Sequence, residues 1–479
     1  MRRFTILAAL LLCALSVRAE LRLPKILGDN MVLQQQSNAR LWGWAEPDAK
    51  VTVRSSWSKT TYETRADADG AWQVAIATPA ATFTPQTVTI REQGSKPVTL
   101  NNVLIGEVWF CSGQSNMEMP LEGFVSQPVE GGAETILHSR DYEYVRVATI
   151  PRRTALTPQE EVDGVWRCSE PKYARKFSAT AFYFAAELQR MLNVPVGVIV
   201  CCWGGTHIEA WMPEWLLREK GVTNLENMMQ NEELKNGRYV VMYNAMLYPL
   251  RHYTIKGFVW YQGCSNVGKA ALYADYQRSM VEHWRELWGL GELPFYYVEI
   301  APYRYAERYG RMAPMLLREQ QQRALDIIPS SGMISTTDLV YPYERGIIHP
   351  SQKQAVGNRL AWLAAEDTYL LAGVRGHSSR FKSMEQTEDG KVRLSFTHTP
   401  DGFATRGEIE GFYVAGADSV FHPAKARVLR FERQIELSSP KVEKVVAVRY
   451  GFGAFEPCTT LHNMRGLPIM PFRTDDWNQ

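Results

Sequence analysis

The sequence predicts an α/β protein: a central three-layer α/β/α core built on a parallel sheet, flanked by β-sandwich-like N- and C-terminal regions. Three observations carry this. Residues 20–102 alternate apolar and polar positions in short runs broken by turn residues. Residues 103–367 place near-continuous apolar runs between segments of helical period. From residue 368 to residue 479 the helical period fades and short alternating runs return.

In the first region the runs are Ala39-Arg-Leu-Trp-Gly-Trp44, Lys50-Val-Thr-Val-Arg54, Ala71-Trp-Gln-Val-Ala75 and Gln86-Thr-Val-Thr-Ile-Arg91. A period of two with regular turn punctuation reads as an antiparallel sandwich. The middle region has apolar runs at 107–111, 196–202, 255–261, 295–300 and 333–337, separated by helix-period segments at 178–192, 273–288, 315–328 and 351–365. Strands buried on both faces and alternating with helices indicate βαβ units. Right-handed crossovers then cover both sheet faces and place a site beyond the strands' C-terminal ends. The last region carries Val392-Arg-Leu-Ser-Phe-Thr397, Gly411-Phe-Tyr-Val-Ala415 and Val442-Glu-Lys-Val-Val-Ala-Val-Arg449. It is expected to pack with the N-terminal sheet rather than stand alone.

The chain has 479 residues, enough for about three units at roughly 150 residues each. Hydrophobic residues make up 45% and charged residues 22%, the balance of an ordinary globular chain with a large core. Lys+Arg number 53 against 51 Asp+Glu, a formal charge of +2 that argues against nucleic acid as a partner held by bulk electrostatics. The start, Met1-Arg2-Arg3 followed by an apolar run over 4–17 and then Val17-Arg18-Ala19, reads as a secretory signal peptide over 1–19. The protein is therefore expected to be exported, to the periplasm or beyond the cell. Removing Arg2, Arg3 and Arg18 takes the formal charge from +2 to −1. Leu12 before Cys13 does not suit a lipid anchor, and no later apolar stretch reaches the roughly 18 residues of a membrane span. Six cysteines then remain, a number that permits disulfides in an exported chain. Cys111, Cys201 and Cys202 lie in apolar runs, which favours small buried hydrophobes. No Cys or His group has zinc spacing, so no metal is expected; no organic cofactor is expected either.

Four loops follow middle strands. In Cys111-Ser-Gly-Gln-Ser-Asn-Met117, Gly113 allows a tight turn that would expose the Ser115 hydroxyl and its backbone N–H. The flank is not Gly-x-Ser-x-Gly, so this is not the α/β-hydrolase elbow. In Trp203-Gly-Gly-Thr-His207, paired glycines let backbone approach a ligand, and Gly205 could donate to developing negative charge. Trp260-Tyr-Gln-Gly-Cys-Ser-Asn266 offers the Asn266 amide for the same purpose. Gly346-Ile-Ile-His-Pro350 offers His349 as a proton acceptor and donor, with His207 as a rival base.

The loop order serine, glycine, asparagine, histidine resembles the four-block pattern of SGNH or GDSL-like hydrolases. More closely, the chain resembles the sialate O-acetylesterase family. The resembling stretches are Gly106-Glu-Val-Trp-Phe-Cys-Ser-Gly-Gln-Ser-Asn-Met117, Gly204-Gly-Thr-His-Ile-Glu-Ala-Trp-Met-Pro213, Val259-Trp-Tyr-Gln-Gly263 with Asn266, and Ile348-His-Pro with Lys353-Gln354. Leu27-Gly-Asp-Asn-Met-Val-Leu-Gln34 and Gly466-Leu-Pro-Ile-Met-Pro-Phe-Arg-Thr-Asp475 extend the resemblance over nearly the whole mature chain. It implies Ser115 as nucleophile, His349 as general base and acid, and an oxyanion hole of Ser115 N–H, Gly205 and Asn266. Gln114 and Gln262 are expected to bind substrate.

Two departures stand out. Cys264 occupies the place where the family commonly has a glutamate after Gln-Gly. The wider class usually carries an Asp three residues before the histidine, and Gly346 stands there. Orientation of His349 must then come from Asp338, Glu344, a backbone carbonyl, or nothing beyond a Ser115–His349 dyad. Asp338, just past a strand, is the preferred acid. The resemblance implies an exported serine esterase that removes O-acetyl groups from sugars, O-acetylated sialic acid first. An acetyl xylan or other plant-glycan esterase, and a non-catalytic carbohydrate-binding protein, are the alternatives.

Overall fold

A computed structural model describes residues 21–453 and 460–477; the expected signal peptide and Cys458 lie outside the described residues. The N-terminal strands are β1 (Val32–Gln34), β2 (Asn38–Trp44), β3 (Lys50–Ser55), β4 (Thr61–Arg65), β5 (Ala71–Ala77) and β6 (Thr82–Glu92), followed by the long β7 (Val98–Gly113). β3 pairs antiparallel with β4 and β6, β6 pairs antiparallel with β7, and β2 pairs with β5. β1 departs from the antiparallel expectation by running parallel to β7.

No break occurs at residue 102. β7 is continuous, its first half pairing with β6 and its second, from Glu107, with β10 (Val196–Cys202) and β11 (Gly257–Tyr261). Every residue from Val103 to Gly113 is buried, so this apolar run serves as the middle of the molecule. The central sheet runs β13-β12-β11-β7-β10-β8-β9, with β8 (Val145–Thr149), β9 (Val165–Cys168), β12 (Phe295–Val298) and β13 (Ser331–Ile334). All its pairings are parallel except β8 with β9. The chain builds outward from β7 in both directions, so β7 is the point where strand order reverses and where open α/β sheets hold their ligands.

The short helix α1 (Ser115–Glu118) leaves β7 directly. The longer helices are α2 (Ala179–Leu192), α3 (Tyr273–Trp288), α4 (Ala313–Ile327) and α5 (Lys353–Asp367), each within two residues of its expected bounds. Phe182 and Leu188 of α2 share one core with Leu360 and Leu363 of α5. Met280 and Trp284 of α3 share another with Leu317 of α4. Two helical faces thus sandwich the sheet. None of the helices among the described residues is long and apolar enough to cross a membrane. Cys111, Cys168, Cys201, Cys202 and Cys264 are all free thiols.

The C-terminal strands form small antiparallel sheets around their own core, which includes Val392, Leu394, Phe412, Ile435 and Val448. Their ties correct the expected packing on the N-terminal sheet. Arg380 pairs bidentately with Asp326, Arg473 with Glu319, and His462 Nε2 meets Asp338 Oδ2 at 3.2 Å, all on the α/β core.

Candidate active site

β7 ends in a turn only glycine can make. Gly113 has φ +137°, and a Cβ there would lie 2.3 Å from the Tyr261 carbonyl oxygen. The chain then enters α1, whose Met117 and Glu118 N–H groups donate to the Gln114 carbonyl at 2.8 and 2.9 Å. Ser115 is the first residue of that turn, where backbone N–H groups have no helical acceptor. Neither its N–H nor its hydroxyl has a hydrogen-bond partner among the described residues.

The glycine loop closes over this serine. Gly204 N–H donates to Glu118 Oε2 at 2.8 Å, and Glu118 Oε1 accepts from Arg152 Nε at 2.6 Å. A Cβ on Gly204 would stand 3.0 Å from the Ser115 Cβ. Gly205 adopts φ +76°, and a side chain there would strike Asn236. Two residues without side chains therefore bring backbone beside Ser115.

The histidine loop is tied to the serine loop through neighbours. Asn116 Nδ2 donates to the Ile348 carbonyl at 3.0 Å, and the buried Lys353 Nζ donates to Asn116 Oδ1 at 2.5 Å. His349 Nδ1 lies 2.5 Å from Gln127 Oε1, its ring stands edge-on to Phe124 at 5.0 Å, and its buried Nε2 has no partner among the described residues. Burial, reinforced by the Lys353 charge, pulls the imidazole down to about 4, so it is neutral at ordinary pH and able to accept a proton. Burial likewise lowers the Lys353 ammonium to about 7.

Ser115, Gly205, His349 and Gln114 share one open cavity of about 580 Å³ with Tyr303, Arg304 and Arg308. Gln114 Oε1 accepts from Gly263 N–H at 3.0 Å, which leaves its Nε2 for the cavity. Cys264 also reaches the wall, but Tyr305 O–H donates to its sulfur at 2.9 Å and burial raises the thiol, so it is no nucleophile.

Three expected residues stand elsewhere. Asn266 is 2% exposed and lies behind the wall; its Nδ2 donates to Glu209 Oε2 at 2.9 Å and its Oδ1 accepts from Ile208 N–H at 3.1 Å. Gln262 is fully buried, donating to the Thr206 carbonyl at 3.0 Å and to Asn266 Oδ1 at 2.8 Å while accepting from Tyr273 O–H at 2.8 Å. These amides are engaged by protein groups beneath the cavity. Asp338 does not orient His349: its carboxylate is held bidentately by Arg359 at 2.7 and 2.6 Å and meets His462. Burial alone would raise this carboxyl, but Arg359 and His462 outweigh it and keep it low. Glu344 is taken as well, accepting from Tyr341 and Ser351 N–H groups at 2.9 Å each. His207, the rival base, sits outside the cavity wall with its ring against Tyr239. Gln127 and Glu118 escape sequence reasoning. Gln127 lies in a loop after α1 with no motif around it, and only the adjacency of Glu118 to Ser115 could have drawn attention.

A serine whose N–H and hydroxyl are free among the described residues, a glycine backbone and a neutral histidine in one cavity are chemically suited to acyl transfer. Residues 105–366 match the family model described as carbohydrate esterase, sialic acid-specific acetylesterase. The human sialate O-acetylesterase is 29% identical over 373 residues, covering 71% of this chain and 69% of that protein. The mouse protein of the same name is 26% identical over 526 aligned positions, covering 94% of each. The crystal structure of a carbohydrate acetylesterase from Xanthomonas citri superposes with a TM-score of 0.85 at 31% identity, covering 96% of this chain and 100% of that one.

Proposed function

The chain belongs to the sialic acid-specific acetylesterase family of carbohydrate esterases and is a carboxylic ester hydrolase; from that premise we propose that it is exported and removes O-acetyl groups from sialic acid through an acetyl-serine intermediate. The observation that carries the chemistry is the single cavity holding Ser115 and His349, with His349 Nε2 unpartnered. In this reading His349 Nε2 takes the Ser115 proton as Oγ attacks the acetyl carbonyl. The Ser115 and Gly205 N–H groups, with Gln114 Nε2 beside them, hold the oxyanion. The sugar alcohol leaves with the proton from His349. Water, deprotonated by the same nitrogen, then releases acetate.

The sugar preference rests on Arg304 and Arg308 in the cavity wall, because sialic acid carries a carboxylate that guanidinium groups recognise and xylan does not. A neutral plant glycan is the second reading, favoured by Glu307, whose carboxylate lies 3.7 Å from Arg304 Nε and offsets its charge. Family membership sets aside the non-catalytic alternative. We propose further a leader over 1–19, a β-sandwich over 20–102, a hydrolase unit over 103–367 and a β-rich unit over 368–479, the first two structural units sharing the continuous strand β7 across residue 102.

Acetate release from O-acetylated sialic acid and from acetylated xylan, with parent and Ser115→Ala, tests the reading. Faster turnover of the acidic sugar, lost in Ser115→Ala, supports it. Preference for xylan overturns the sugar assignment, and retained activity in Ser115→Ala overturns the nucleophile.

A further inference from the structure

Among the described residues no carboxylate holds the ring of His349, although the acid of a serine–histidine–acid triad ordinarily fixes the tautomer there. Asp338 and Glu344 are both committed to other partners. The atom that does meet Nδ1 belongs to an amide on a different loop.

That loop is a tight turn. Phe124 N–H donates to the Gln127 carbonyl at 3.0 Å and Gln127 N–H returns to the Phe124 carbonyl at 2.9 Å, with Ser126 at φ +59° between them. Residues paired across an antiparallel bridge share a face, so Phe124 and Gln127 project together. Both meet His349: the phenyl ring edge-on at 5.0 Å and Gln127 Oε1 on Nδ1 at 2.5 Å. The turn is anchored on either side, by Leu121 N–H on the Phe177 carbonyl at 2.9 Å and by Glu130 N–H on the Ser351 carbonyl at 3.0 Å. The second anchor falls two residues past His349 itself.

We propose that Gln127 is the positioning residue for His349, fixing the reactive tautomer with an uncharged amide where a triad would use an acid. This rests on the reading of His349 as the base. An amide oxygen can only accept, so Nδ1 must carry the proton and Nε2 must carry the lone pair. The amide orients the ring but supplies no negative charge to the imidazolium formed during acylation. The charged and titratable groups around the ring are Lys353 on α5 with Glu344 beyond it, and Cys264, Arg304, Glu307 and Arg308 around the cavity. Glu130, on the Gln127 loop, is taken by Tyr341 O–H at 2.9 Å. With no anion on Nδ1, the low imidazole, at about 4, keeps the base in its active form into mildly acidic solution.

The test is kcat and KM of the full chain across pH for Gln127→Ala, Gln127→Glu and His349→Ala, with thermal melts on each. Gln127→Ala should lower kcat about ten- to a hundredfold with KM little changed. Gln127→Glu should keep substantial kcat and move the acid limb of kcat/KM up by about one pH unit or more, because a carboxylate on Nδ1 favours the charged ring. The direction is fixed: a base is lost as pH falls through its pKa, so a raised pKa moves that loss to higher pH. A parental kcat in Gln127→Ala, or an unmoved acid limb in Gln127→Glu, overturns the proposal. If Gln127→Ala does not fold, the near-isosteric Gln127→Glu decides alone. Activity retained in His349→Ala would instead remove the base on which the proposal stands.

Discussion

Gln114 and Asn266 carry the same carboxamide on neighbouring loops, and the protein uses them in opposite ways. Gln114 spends its oxygen on Gly263 N–H and keeps its nitrogen for the cavity, whereas Asn266 is consumed by Glu209, Ile208 and Gln262. Composition and order along the chain are the same for a donor aimed into a site and a strut beneath it, so the sequence alone could not separate them. Burial does. Asn266→Ala strands a buried carboxylate oxygen and two N–H donors, and should lower stability by about 2–4 kcal/mol. Turnover per folded molecule should fall about tenfold or less, short of the roughly 10²–10³ loss of an oxyanion donor. Denaturation and kcat on one preparation check this. A 10²–10³ loss of turnover at parental stability would return Asn266 to the oxyanion hole.

At the scale of elements, the apolar runs of β7, β10 and β11 were legible because strands buried on both faces need not alternate. β8 and β9 were not, since Val145–Thr149 carries a charged residue, Arg146, at its second position and Val165–Cys168 is a short, half-exposed edge. The four site loops were legible as positions after strands. The Gln127 turn was not, because its value lies in meeting a residue 222 positions away. Helices α2 and α5 approach so closely that a Cβ on Gly357 would lie 2.6 Å from the Tyr183 Cβ and 2.7 Å from the Phe184 nitrogen. Gly357→Ala should therefore destabilise the chain by about 1–3 kcal/mol through overpacking, despite the better helix propensity of alanine. Urea denaturation measures it. Unchanged or raised stability would mean the two helices part at little cost.

Across the whole molecule, the C-terminal β-rich region reaches the α/β core at Asp338, where Arg359 from α5 and His462 meet one buried carboxylate. The acid expected to serve catalysis instead joins two parts of the fold. Asp338→Asn leaves Arg359 buried without its counter-charge and should cost about 3–5 kcal/mol of stability. Turnover of the folded fraction should stay within a few-fold of the parent, against the roughly 10⁴ expected on losing the orienting acid of a triad. Melting temperature and active-site-normalised kcat separate these outcomes.

In the proposed mechanism Ser115 and His349 act as one catalytic unit within the shared cavity. The most direct measurement is kcat for Ser115→Ala, His349→Ala and the double variant, each confirmed as folded. Each single variant should lose about three orders of magnitude or more, and the double variant should lose little beyond either. Losses that multiply in the double variant would show two residues acting separately and would contradict the account.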